Sequence, residues 1–190
     1  MKLKIARLIS RVGHPIVLLV AYLFYFLFSV HNPEKATWTL AIIILLGVLP
    51  LILWNLIRTR KGLYSNFDVS IRNQRSSMYL FILLLAVVVV IALWYSNQPD
   101  NILIGSLVLI QLLLIAFLLN FKTKVSLHIA IAVFIGFGLW EINKSFALIT
   151  WGSCPFIAWS RWYLGRHLPM ELFWGFVLGL ICGIEILYLI

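Results

Sequence analysis

Long apolar runs, broken by short polar connections, constrain this chain more than any other feature. Seven stand out: Pro15–Val30, Thr37–Ile57, Met78–Ser96, Ile102–Phe121, Val125–Ile142, Phe146–Trp159 and Leu168–Ile190. Several approach the ~20 residues that carry a helix across a ~30 Å hydrocarbon layer. Lipid cannot satisfy exposed backbone N–H and C=O groups, so runs of this kind cross as helices. The chain therefore reads as all-α, a polytopic transmembrane bundle of about six to seven spans forming one domain over residues 1–190. The short first run lengthens backwards as an amphipathic helix through Ile5 to Arg11. The short sixth run contains Gly152 and Pro155, so it is expected to kink or to extend through Trp159 to Leu164.

Charge follows the connections. The N-terminus carries Lys2, Lys4, Arg7 and Arg11; later connections carry Arg58, Arg60, Lys61, Arg72 and Arg75, then Lys122 and Lys124, then Arg161 and Arg166. That places 13 of the 15 basic residues on one side and leaves Lys35 and Lys144 for the other. The basic side of a membrane protein is the cytoplasmic one, which gives a cytoplasmic N-terminus and an external C-terminus. The same rule accounts for the net charge of +9 without a nucleic-acid partner. The basic start followed by an apolar run looks like a secretory signal, but Ser29-Val30-His31-Asn32-Pro33 offers no small-x-small cleavage site, so the first span is read as retained. Cys154 and Cys182 lie in apolar segments and read as buried free thiols; no Cys/His spacing fits zinc.

Three polar clusters fall at connections separated by pairs of spans, so each returns to the same face. The first is Asp68 to Arg75, where Arg72 and Arg75 are two guanidinium forks suited to an oxyanion. The second opens the fifth run: Lys124 and His128, four apart and expected on one helical face, with Ser126 between them. A helix N-terminus there adds N–H groups and a positive dipole end. The third is Ser160-Arg161 to Glu171, with His167 four residues before Glu171 and Pro169 at the first turn of the next helix. On a helix His167 and Glu171 share a face, and a carboxylate beside an imidazole fixes its tautomer. Two histidines, several cations, serines and one carboxylate suit a phosphate better than a metal, which would need more ligands at ligating spacing. The histidines then serve as nucleophile and general acid.

These residues resemble the type 2 phosphatidic acid phosphatase superfamily, in a compact bacterial branch. Its third motif, S-R-x5-H-x3-D, is matched in spacing by Ser160, Arg161, His167 and Glu171, with Glu in place of Asp. Its second motif, P-S-G-H, is met by Val125-Ser126-Leu127-His128, which keeps serine and histidine only. Of the first motif, K-x6-R-P, Arg75 keeps the arginine, while Asp68 stands at the lysine and Ser76 at the proline. Arg72 and Lys124 are the candidates for the missing cation.

The resemblance implies hydrolysis of a membrane lipid phosphate or pyrophosphate through a phosphohistidine, without metal or cofactor. His167 would be the nucleophile, Glu171 its orienting partner and His128 the leaving-group acid. Arg161, Arg75, Arg72, Lys124, Ser126 and Ser160 would bind the phosphate. The partners implied are a lipid substrate and the bilayer; the location implied is a bacterial inner membrane, with the site on the cytoplasmic side. Alternatives are a lipid phosphotransferase of the same superfamily and a catalytically weak lipid-binding membrane protein.

Other polar residues read as structural. His14 is taken as an interfacial histidine; His31, Asp100, Glu141 and Lys144 as solvated at the opposite face; and Glu185 as reaching the far interface. Gly175, Gly179 and Gly183 form a small-xxx-small packing stripe, and most tryptophans fall near span ends as an interfacial belt.

Overall fold

Several helix boundaries fall where apolar runs meet asparagine, proline or glycine. Asn32 caps one helix, its Oδ1 accepting from the amide of Lys35 at 2.8 Å, with Pro33 following in the first turn. Asn143 does the same for another through the amide of Phe146 at 3.2 Å. The computed structural model describes residues 1–189, and every regular element among them is helical. Ile190, the last residue of the seventh apolar run, lies outside the described residues. In order the helices are α1 (Lys2–Val12), α2 (Pro15–Val30), α3 (Pro33–Ile43), α4 (Leu49–Arg60), α5 (Arg72–Tyr95), α6 (Asp100–Leu119), α7 (Leu127–Trp140), α8 (Lys144–Tyr163) and α9 (Pro169–Leu189). A π-helical turn, Ile44–Val48, joins α3 to α4 as one helix of 28 residues.

Four of these are long and apolar enough to cross a membrane: Pro33–Arg60, α5, α6 and α9. The pair α1 and α2, bent by 47°, makes a fifth if it counts as one span. The sequence led to six or seven. The difference lies in α7 and α8. With 14 residues α7 is about 21 Å long, short of the hydrocarbon thickness. Although 20 residues long, α8 has its hydropathy diluted by Thr150, Ser153, Pro155 and Ser160. It runs to Tyr163, as the extended reading of the sixth run expects, with Pro155 inside it.

Two compact units can be distinguished: residues Met1–Val30 with Lys124–Ile190, and residues His31–Thr123. The second unit holds α3 to α6. Its helices meet through Trp54 stacked on Phe81 (ring centroids 4.2 Å apart) and through a buried bond from the Thr39 hydroxyl to Gln98 Oε1 at 2.9 Å. Leu80, Leu84, Val87, Val88 and Ile91 repeat at helical spacing along α5 and are all exposed, an apolar stripe that suits lipid and not water.

The first unit is built around α7. Residues Ile129 to Ile135 are all buried, so this helix, apolar on every side, is enclosed by protein. Ile129, Ala132 and Val133 pack with Cys154 and Ile157 of α8, with Leu18, Leu172 and Leu180 at the margin. Both cysteines are buried free thiols. Trp151 lies over Gly136 and donates its indole N–H to the carbonyl of Val133 at 3.1 Å.

Contacts fix the helix directions. Moving along α9 from Gly175 through Gly179 to Gly183, the neighbours on α7 move from Ser126 through Ala130 to Phe137, so the two helices run parallel. Between them in sequence, α8 starts four residues after α7 ends and returns antiparallel along it, Trp151 meeting Trp140, Gly136 and Val133 before Cys154 and Ile157 join the cluster that holds Ile129. The starts of α7 and α9 and the end of α8 therefore share one end of the unit. The glycine stripe allows this approach: a Cβ at Gly175 would sit 2.6 Å from the carbonyl oxygen of Ser126, and one at Gly179 would strike the carbonyl of Ala130. Gly179→Ala is expected to cost about 1–3 kcal/mol by overpacking, read as a lower unfolding temperature of the purified protein. Gly152→Ala, where a Cβ meets nothing within 4 Å, is the matched control expected to stay near wild type.

Candidate functional site

The polar end of the first unit is assembled by helix ends. The carboxyl end of α8 closes in a glycine-dependent turn: Gly165, with φ +64°, follows the cap residue Leu164. The amide of Arg166 donates to the carbonyl of Arg161 at 2.9 Å, and that of Gly165 to the carbonyl of Trp162 at 2.9 Å. This turn brings the amide of His167 within 3.4 Å of the Arg161 carbonyl. The spacing between Arg161 and His167 is thus the length of one helix ending.

Two residues later α9 opens on Pro169, as the sequence indicated. His167 precedes the helix, however, so it and Glu171 do not share a helical face. They meet because Glu171, third in the helix, reaches back: Oε2 lies 2.9 Å from Nδ1 of His167 and accepts the amide N–H of Leu168 at 3.1 Å. The second bond is half of a capping box. The same oxygen lies 3.3 Å from Nζ of Lys124. Both His167 and Glu171 are buried. With Glu in the place where Asp was compared, the imidazole is still reached.

The second cluster also differs from the helical-face expectation. Lys124 stands before α7, whose first residue is Leu127, so its spacing of four from His128 is not a turn of that helix. It turns to Glu171 and to the carbonyl of Arg166, 3.3 Å from Nζ. Ser126 occupies the cap position of α7, and its amide donates to the Glu171 carbonyl at 3.1 Å. Its side chain is fully buried, and Oγ has no hydrogen-bond partner among the described residues. His128 follows in the first turn of α7 and is buried.

Arg161 is 1% exposed, and its guanidinium donates to Oγ of Ser10 at 2.7 Å. Ser160, also buried, donates its hydroxyl to the carbonyl of Ile157 in its own helix at 2.7 Å. Arg72 and Arg75 belong to the other unit. There Arg72 donates to the carbonyl of Lys122 at 2.8 Å, and Arg75 is buried with its guanidinium 5.4 Å from the ring centre of Tyr79.

At this end Ser10 went unremarked in the sequence, and His14 was taken there as an interfacial histidine. Ser10 is the partner of Arg161, and His14 packs on His128 with ring centroids 5.2 Å apart and planes at 82°. A signal existed: Ala6, Ser10 and Gly13 are small residues at helical spacing, the mark of a face meant for close approach.

Comparison of the chain with protein-family models, with curated proteins and with solved structures finds no match. Chemically, the end of this unit offers an imidazole oriented by a carboxylate, a second buried imidazole, a buried guanidinium and an unsatisfied hydroxyl at a helix start.

Glu171 has separable structural and electrostatic parts. Glu171→Ala removes the cap and the pairing and is expected to cost about 3 kcal/mol. Glu171→Gln keeps an acceptor for Leu168 but loses the charge, and about half that loss is expected. Thermal unfolding of both variants beside wild type checks the order.

Proposed function

We propose that this protein is an integral-membrane phosphohydrolase acting on a lipid phosphate or pyrophosphate, as the resemblance of its motifs to the type 2 phosphatidic acid phosphatases suggests. The observation that carries the reading is the 2.9 Å contact of His167 Nδ1 with Glu171 Oε2, at the end of the unit where Arg161 and His128 also lie. With Nδ1 engaged, the nucleophile is Nε2. It attacks phosphorus as the bond to the lipid oxygen breaks, and His128 gives that oxygen its proton. Water then attacks the phosphohistidine, His128 takes its proton, the P–N bond breaks and phosphate leaves. Arg161 and Lys124 offset the charge on the phosphoryl oxygens, with Ser126 and the α7 N-terminus as further donors.

The apolar helices support residence in a membrane. In this reading α7 and α8 also lie within the bilayer, which brings the spans to six or seven, in a bacterial inner membrane with the site on the basic, cytoplasmic side. The lipid's phosphate then waits at headgroup level.

A second reading has its own observation. Glu171 caps α9 through Leu168 and holds Lys124, so the cluster also serves as the structural tie between the starts of α7 and α9. Purified protein presented with phosphatidic acid, phosphatidylglycerol phosphate and undecaprenyl pyrophosphate separates the two. The phosphohydrolase reading expects phosphate release from at least one, reduced by about 10³-fold or more in His167→Ala, the scale of losing a nucleophile. Equal turnover in that variant excludes the mechanism; absence of turnover in wild type leaves the structural tie.

A further inference from the structure

Ser10 and His14 come from the segment before and at the start of the first long apolar run, far in sequence from every motif considered above. Each nevertheless meets a residue that the proposed chemistry depends on. The Ser10 hydroxyl accepts from the Arg161 guanidinium at 2.7 Å, and both residues are buried. The Arg fork is planar and its donors diverge at fixed angles, so holding one N–H at a buried acceptor sets where the others point. The approach of α1 to α8 that permits this bond depends on Gly13, where a Cβ would lie 2.7 Å from Cγ1 of Ile157. Beyond Gly13 the chain turns into α2, and His14 stands immediately before it. Its Nδ1 accepts the amide N–H of Ile16 at 3.2 Å, which holds the ring and places its proton on Nε2 when neutral. Edge-to-face packing on His128, with planes at 82°, then limits the rotation of that second imidazole.

We propose that the α1–α2 junction is a working part of the site, with Ser10 positioning the Arg161 guanidinium and His14 positioning the His128 imidazole. The inference rests on the phosphohydrolase reading. It divides the labour: Ser10 acts through phosphate binding, and His14 through protonation of the leaving oxygen. Nothing in an N-terminal anchor requires either. An anchoring helix needs its basic and apolar outer residues, Lys4, Arg7, Leu8 and Arg11, which are exposed, and no buried bond to an arginine 151 residues away.

The test uses full-length protein, with orthovanadate as the phosphate analogue and the lipid phosphate that wild type hydrolyses. Ser10→Ala is expected to weaken orthovanadate binding and raise KM about tenfold or more, the worth of a hydrogen bond to a charged group. Ser10→Thr, which keeps the hydroxyl, is expected to restore both. His14→Ala is expected to lower kcat about tenfold with orthovanadate affinity kept, since it acts only on proton transfer. His14→Phe, which keeps a ring edge against His128, recovers most of the loss. Alanine variants with wild-type constants overturn the inference, as do variants that both lose orthovanadate affinity and lose kcat in step with thermal stability. If wild type neither releases phosphate nor binds orthovanadate, the phosphohydrolase reading falls and takes this one with it. If wild type does both while the variants match it, only this one falls.

Discussion

One carboxylate oxygen, Oε2 of Glu171, joins the amide of Leu168, the imidazole of His167 and the ammonium of Lys124. Through the first it caps α9, through the second it orients a ring, and through the third it draws the lead-in of α7 onto the start of α9. The backbone reinforces the same junction, the amide of Ser126 donating to the carbonyl of Glu171. A buried carboxylate is tolerable only with such partners. Remove the charge, and the cap, the ring orientation and the α7–α9 register all lose a common support. The structural and the catalytic readings of this residue are therefore not rivals at the level of geometry; they share the same bonds.

Much of this arrangement was legible in the residues. The helical class follows from apolar runs that only helices can carry through lipid. The nearness of Lys124–His128 to Arg161–Glu171 follows from the return of α8 between two parallel helices. The glycine stripe of α9 was legible as a packing face. The details failed where helix ends decided them. His167 and Lys124 were placed on helical faces by their spacing of four, yet both lie outside the helices concerned. A chain's turn out of a helix depends on what the next element offers, here the Gly165 turn and the reach of Glu171, and periodicity does not record it. A helix enclosed by protein, as α7 is, and one facing lipid are both apolar all round, so composition does not separate them. Ser10 and His14 were out of reach for another reason: their partners are set by the packing of α1 and α2 on α8 and α7, contacts with no local sequence signature beyond three small residues.

Among the candidate cations, geometry makes distinctions that counting could not. Lys124 is committed to a carboxylate, Arg161 to a hydroxyl, and Arg72 to a main-chain carbonyl within its own unit. Each commitment narrows where the remaining donors can point, and a guanidinium with a fixed plane is a more selective binder than a mobile one.

Where α9 lies on α7, main chain rests almost on main chain, with Gly183 against the ring of Phe137 at the deep end. Gly183 and Glu171 are twelve residues apart, about 18 Å along the helix. A methyl group wedged under Gly183 would tilt α9 about its contact at Gly175. Glu171 lies half as far from that pivot as Gly183 does, so about half of the displacement would reach the carboxylate, in the opposite sense. The alignment of His167 is thus hostage to a residue remote from any chemistry, and drift at such a position would detune the polar end without altering one of its side chains.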